Sequence, residues 1–225
     1  QTALAEGKTA IVYHESNIEI RTGSDSEILM PVSDIPTTLN GAAEHNVANA
    51  MGVTGLSLGL GVTTEFIKQG LANFKGDVND NPGRGNYFDA NGARVLIDFA
   101  HNPHSLAAII KTVKALPAKR RLIMIGHAGD RTDRDIRNLT AVALKMEPDV
   151  VVTAEIPDYL RGRELYEITN LMRDECLKTG LTDEQVVYSE SCLAGAEFAL
   201  SWAQPGDFML LLALDQRDKV FQLLQ

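Results

Sequence analysis

The chain has 225 residues, enough for one large domain or one and a half ordinary ones, and its 44% hydrophobic content is that of a globular protein with a sizeable core. The formal charge of −9 argues against non-specific binding to nucleic acid or an anionic membrane, which needs clustered lysine and arginine. No stretch approaches the ~20 apolar residues of a membrane span, and no basic segment followed by an apolar run opens the chain. Cys176 and Cys192 lie inside apolar helical patterns and read as small core residues, in keeping with a reducing cytoplasm.

In chain order, Thr9–Tyr13 and Ile18–Arg21 read as a hairpin around Glu15-Ser16-Asn17, and Glu27–Val32 as a third strand. Helices are predicted over Gly41–Leu60 and Thr63–Phe74, the second capped by Thr63 or Thr64 and ended before Gly76. Asp77–Gly85, rich in Asn, Asp, Pro and Gly, reads as a linker or hinge. From there a regular rhythm begins. Apolar strands over Val95–Phe99, Leu122–Gly126, Val150–Ala154, Gln185–Tyr188 and Phe208–Ala213 alternate with helices over Ser105–Leu116, Asp133–Met146, Arg163–Thr179, Cys192–Ala203 and Lys219–Leu224. Such alternation specifies an α/β fold, a doubly wound, mainly parallel sheet covered on both faces, here about 140 residues long. The strand order is not readable from the pattern.

Ligands of these sheets bind beyond the carboxyl ends of the strands. That rule selects Asp98, His101, Asn102 and His104 after the first strand, and Gly126-His127-Ala128-Gly129-Asp130-Arg131 with Asp133 and Arg134 after the second. It then selects Glu155, Asp158, Arg161 and Arg163 after the third, and Asp215 and Arg217 after the last. Each has a plainer explanation: Asp98 or Asn102 as a helix cap, the glycine loop as a turn, the charge run as a solvated face. Their gathering on one edge favours a site. A rim of Asp, Arg and His suits a phosphate-bearing substrate with a divalent cation. Neither a Gly-x-x-x-x-Gly-Lys-Ser/Thr phosphate loop nor a Gly-x-Gly-x-x-Gly after a strand is present.

Three blocks carry a family resemblance. Asn81-Pro82-Gly83-Arg84-Gly85-Asn86, followed by Val95–Phe99 running into Asp98-Phe99-Ala100-His101-Asn102-Pro103, resembles the opening of the Mur ligase C-terminal domain, a Rossmann-like fold. Upstream, His45-Asn46-Val47-Ala48-Asn49-Ala50 resembles the helix that ends that family's central ATPase domain. Asp34-Ile35-Pro36-Thr37-Thr38, Gly129-Asp130-Arg131-x-Asp133-x-Asp135-Ile136, Asp158-Tyr159-Leu160-Arg161-Gly162-Arg163 and Ala203-Gln204-Pro205-Gly206-Asp207 are most similar to the branch that adds arginine to the side chains of an aspartate backbone. Two positions depart from the pattern: Gly85 stands for a larger residue such as Met, and Phe99 for the common Tyr.

The resemblance implies residues 1–81 as the tail of the ATPase domain and 82–225 as the C-terminal domain of an ATP-dependent amide-forming ligase, and the chain as a piece of a longer parent that supplies the phosphate loop. It implies ATP and Mg²⁺ as the parent's cofactors, and an amino acid and an acidic peptide or polymer acceptor as its partners. The parent would be a cytoplasmic enzyme, with a homo-oligomer among its possible states. By matched position, His45, Asn46 and Asn49 would form the adenine pocket, Arg84 would meet the phosphates, and Asp98 the ribose or hinge. Asp98, His101 and Asn102 would form the catalytic set lining the cleft, and Arg131, Asp133, Arg161 and Arg163 would hold the polymer or the incoming amino acid. No residue is assigned to a metal. Rival expectations are a peptidoglycan or folylpolyglutamate ligase, or a non-catalytic domain that binds nucleotide or a partner. Against the diaminopimelate-adding branch, Glu155-Ile156-Pro157-Asp158 stands where that branch carries Asp-Asn-Pro-Arg.

Overall fold

The computed structural model describes residues 7–225. The described residues form two compact units, which divide between Gly76 and Asp77.

The first unit is an antiparallel meander of β1 (Thr9–His14), β2 (Asn17–Thr22) and β3 (Asp25–Pro31), in that order. Glu15 and Ser16 both take positive φ (47° and 63°), the two-residue turn whose twist suits the flanking strands. Helices α1 (Glu44–Gly59) and α2 (Thr64–Asn73) follow. Helix α1 starts three residues later than its apolar spacing suggests, because Leu39, Asn40 and Gly41 are all left-handed and cannot belong to a right-handed helix. Thr63 does take the extended N-cap conformation of α2, without a side-chain capping bond. Val47, Ala50 and Thr54 bury one stripe of α1, while Val53, Leu56 and Leu60 (three and four residues apart) form an exposed apolar stripe beside it.

The second unit is a six-stranded sheet of β4 (Arg84–Ala90), β5 (Ala93–Asp98), β6 (Arg121–Gly126), β7 (Val150–Ala154), β8 (Val186–Ser189) and β9 (Phe208–Leu211). The order is β4-β5-β9-β6-β7-β8; β4 runs antiparallel to β5 and all other neighbours are parallel. Strand β4 corrects the expectation of a hinge reaching Gly85. Its signal was in the sequence: Asn91-Gly92, both at positive φ, is a strong two-residue hairpin turn between Phe88 and Val95.

Helices α3 (Pro103–Lys114), α4 (Asp133–Ala143) and α5 (Glu167–Lys178) cover one face of this sheet, and α6 (Cys192–Trp202) and α7 (Arg217–Leu224) the other. Strand residues alternate between the two cores: Ile123, Ile125, Val151 and Leu210 face α3–α5, whereas Leu122, Met124, Val152 and Met209 face the other side. Both cysteines are buried in these cores. Helix α5 begins at Glu167 rather than Arg163, since Arg161, Gly162 and Tyr166 all have positive φ.

Strand β9 is the last made and enters between β5 and β6, with Leu211 opposite Ile97 on one side and Met124 on the other. Its amino end is anchored by Asp207. That carboxylate accepts from Arg120 at 3.1 Å (Nε) and 2.5 Å (Nη2), and from the Gln204 N–H at 2.8 Å. The Arg120 guanidinium also lies over the Trp202 ring, 4.0 Å from its centroid. Burial opposes ionisation of Asp207, but the Arg120 bonds and the Gln204 N–H outweigh it and hold the carboxyl below its ordinary value. Replacing Asp207 by Asn leaves Arg120 without its counter-charge and is expected to cost about 3 kcal/mol in urea unfolding at pH 7. With the folded-state value depressed, this contribution is complete above the unfolded value of 3.8 and lost as pH falls through the folded one. The gap between wild type and D207N should close only in that acid range.

Candidate functional site at the carboxyl edge of the sheet

Helices α3 and α4, which follow β5 and β6, go to one face; α7, which follows the intervening β9, goes to the other. The connections therefore diverge on either side of β9, and the carboxyl end of such a switch point is where open α/β sheets bind ligands. Phe99–Asn102, Gly126–Ala128 and Leu212–Arg217 are the segments that leave the carboxyl ends of β5, β6 and β9.

Arg84, Asp98, Phe99 and His101 come together there. Arg84 pairs with Asp98 across the β4–β5 ladder, and a register shift between Arg84 and Asn86 places Gly85 in a bulge with φ +67°. A larger residue at Gly85 would have to hold a left-handed backbone, although its side chain would meet open space. The Gly85 N–H donates to Oδ2 of Asp98 at 2.9 Å. Phe99 carries the exposed Arg84 guanidinium, 5.2 Å from its ring centroid, and packs against the His101 ring at 5.4 Å. His101 Nδ1 lies 3.0 Å from the Phe99 carbonyl oxygen. A cation is thus presented on an aromatic platform beside a carboxylate. Asn102 caps α3, its Oδ1 accepting from the Ser105 N–H at 2.9 Å, so one of its polar atoms is committed to structure.

Asp98 is buried, and desolvation raises its carboxyl above the ordinary value despite the opposing Gly85 N–H and the Arg84 charge. This is the reverse of Asp207. A buried carboxyl with a perturbed proton affinity at the ligand edge of the sheet is a candidate site residue, besides its bond to the β4–β5 bulge.

The second group of predicted residues is built differently. Arg163 is only 15% exposed and stitches two loops together. It donates to the Gly129 carbonyl at 3.1 Å, the Arg131 carbonyl at 2.7 Å and Glu167 at 2.6 Å, and pairs with Asp133 at 2.8 Å. Arg163 and Asp133 thereby hold the Gly129–Asp133 loop, while Arg131 (3.9 Å from Asp130) and Arg161 (5.3 Å from the Tyr159 ring) stay exposed. Gly129 is required by contact rather than by φ: its N–H donates to the Tyr159 carbonyl at 2.8 Å, and a Cβ would sit 1.9 Å from the Leu160 oxygen.

His45, Asn46 and Asn49 lie at the start of α1 in the other unit. Asn46 donates to the Thr37 carbonyl at 2.8 Å and accepts from Asn49 at 3.3 Å, tying the helix to the preceding loop. Burial lowers the His45 imidazole, so it is neutral at pH 7. Two residues on the rim gain weight only from the structure. His127 is buried after β6, with burial lowering its ring as well. Glu155 is buried after β7. Their strand-end positions were legible; their burial was not.

The family profile for the Mur ligase glutamate ligase domain matches residues 83–213. Cyanophycin synthetase of Crocosphaera subtropica is 30% identical over 203 residues, which are 90% of this chain and 23% of that protein. UDP-N-acetylmuramyl-tripeptide synthetase of Deinococcus radiodurans is 30% identical over 210 residues, 92% of this chain and 41% of the relative. Among solved structures, UDP-N-acetylmuramoylalanyl-D-glutamyl-2,6-diaminopimelate–D-alanyl-D-alanyl ligase of Acinetobacter baumannii shares the fold with a TM-score of 0.61 at 16% identity, covering 96% of this chain and 42% of that one. The chain thus spans less than half the length of each of these proteins.

Two expectations follow from the site. Stability of the wild type relative to Asp98→Asn should fall as pH rises above 3.8, because the folded state keeps a proton that the unfolded chain has lost; thermal melts of the pair across that range read the difference. Gly129→Ala should cost ~1–3 kcal/mol through overpacking against Leu160, measured by chemical denaturation.

Proposed function

The chain belongs to the Mur ligase family, and from that premise we propose that it is the C-terminal portion of an ATP-dependent amide-forming ligase of the cyanophycin synthetase kind. In this reading the parent transfers the γ-phosphoryl group of ATP to a side-chain carboxylate of an aspartate polymer. The α-amine of arginine then attacks the acyl phosphate, forming the amide and releasing phosphate. The observation that carries it is the Arg84–Phe99–His101 stack against buried Asp98, set at the carboxyl edge where this kind of sheet binds ligands.

Each residue has a role suited to its surroundings. Arg84, held over Phe99 with its guanidinium exposed, neutralises phosphate charge. Asp98 positions the β4–β5 bulge through Gly85 and meets the nucleotide's ribose or the hinge. His101 and Asn102 lie at the same carboxyl edge of the sheet, and Asn102 also starts α3 so that the helix N-terminus faces that edge. Arg131 and Arg161 offer exposed cationic heads to an acidic polymer, on loops that Arg163 and Asp133 hold in shape. His45, Asn46 and Asn49 serve the adenine from the remnant of the ATPase domain. The exposed Val53–Leu56–Leu60 stripe of α1 supports assigning residues 1–81 to such a remnant, since a helix apolar on two stripes is built to be covered on both. Among the described residues no group of three or more His, Cys, Asp or Glu side chains gathers to hold a metal, so Mg²⁺ would come with the nucleotide phosphates.

The test is ADP release by a parent chain that carries the phosphate loop, supplied with Mg-ATP, an aspartate primer and arginine. Arg84→Ala should lower kcat/KM about 100-fold or more without changing the melting temperature. The 225-residue chain alone should release no ADP. Lysine, diaminopimelate and muramyl-peptide acceptors run in parallel decide between this reading and a peptidoglycan ligase, which the tripeptide synthetase likeness also favours. ADP release with those substrates and none with arginine would overturn the proposal.

A further inference from the structure

Arg84 is the first residue of β4, and the turn Asn81–Gly83 delivers it to the carboxyl edge. The backbone of this stretch is gripped from three sides. Asn86, 1% exposed, holds both ends of the turn: its Oδ1 accepts from the Gly83 N–H at 2.6 Å, and its Nδ2 donates to the Asn81 carbonyl at 3.0 Å. Asp98 holds the Gly85 N–H on the other side of Arg84. The third grip comes from a residue 135 positions away: Arg217, the first residue of α7, donates through Nη1 to the Pro82 carbonyl at 3.3 Å.

Arg217 is an expensive fastener. Its side chain lies so close to the turn that a Cβ on Gly83 would sit 2.6 Å from Cδ of Arg217. Although the side chain is 40% exposed, its Nε is shut off from solvent and has no hydrogen-bond partner. Asp218 Oδ1 lies 3.5 Å from that nitrogen, within ion-pair range but not hydrogen-bonded to it. A guanidinium with a buried donor idle, spent on one neutral carbonyl, costs more than an apolar side chain packed on the same turn.

We infer that Arg217 is a positioning residue for Arg84. By holding Pro82 and packing on Gly83, it fixes the backbone from which the Arg84 guanidinium lies over Phe99 and reaches outward. Asn86 and Asp98 belong to the same hairpin as Arg84, so they move with it. Arg217 does not: it ties the hairpin to the segment that follows β9, across the switch point of the sheet. Misplacing a catalytic group by about 1 Å costs about 100-fold in rate, so releasing one grip of three should cost about tenfold. The inference rests on the ligase reading for what Arg84 does, and adds what holds Arg84 in place.

Two measurements keep the ideas apart. In the 225-residue chain, Arg217→Ala should move the amide NMR resonances of Gly83 and Gly85 and remove the ring-current shift of the Arg84 Nε proton. Arg217→Met keeps the packing on Gly83 but donates nothing, so it should do the same and guards against a folding defect. Arg217→Lys, which retains a donor for Pro82, should restore most of the signals. Unmoved Gly83 and Arg84 resonances in the alanine and methionine variants would overturn the inference, whatever the parent catalyses. In a parent carrying the phosphate loop, Arg217→Ala should lower kcat/KM for Mg-ATP about tenfold and leave the KM for the amino acid unchanged. On an Arg84→Ala background it should cost nothing further, because Arg217 acts only through Arg84. Equal losses on both backgrounds sink the positioning role and spare the ligase. No ADP release with any substrate does the opposite, provided that the resonances move as expected.

Discussion

The second unit depends on one insertion: the last strand, β9, enters between β5 and β6. A strand buried on both faces and paired on both edges must be apolar throughout, and Phe208-Met209-Leu210-Leu211 is. Because β9 is followed by a helix on the face opposite those that follow its two neighbours, the carboxyl edge opens beside it. Asp98, His127 and Asp215 are brought to one edge of the sheet by that topology, although they come from distant parts of the sequence.

The two ends of the sheet treat their buried aspartates in opposite ways. At the amino end, Asp207 meets a bidentate guanidinium and a backbone N–H, and its charge supports the fold. At the carboxyl end, Asp98 has the Gly85, Phe99 and Ala100 N–H groups and the charge of Arg84 but no bidentate guanidinium, and desolvation prevails. The division matches the usual one in open α/β sheets, with stability invested at one edge and chemistry at the other. Glu155 belongs with Asp98: it too lies at the carboxyl edge with part of its carboxylate unserved.

The arginines divide in a similar way. Arg163 spends its donors on Gly129, Arg131, Asp133 and Glu167, so it shapes the rim, whereas Arg84, Arg131 and Arg161 keep exposed heads. The Phe99 departure from the common tyrosine leaves the platform under Arg84 intact, since an aromatic face is what the guanidinium uses. Gly85 changes the bulge rather than the charge.

Much of this was legible in the sequence because it rests on local periodicity. Short apolar runs such as Val95–Ile97 and Leu122–Ile125, bounded by turn signals, read as buried strands, and the amphipathic segments between them as covering helices. The rim positions followed, because a strand end is a sequence position. Strand β4 was missed although Asn91-Gly92 announced its turn, because its residues alternate too weakly to stand out beside the glycine-rich segment before it. Other properties had no local signature. The place of β9, the opposed environments of Asp98 and Asp207, the engagement of Arg163 and the idle oxygen of Glu155 depend on groups far apart in the chain. Side-chain type and spacing determined which elements form and which edge bears the chemistry. Burial and partnership, which exist only between elements once packed, decided which charges hold the fold and which are left for a ligand.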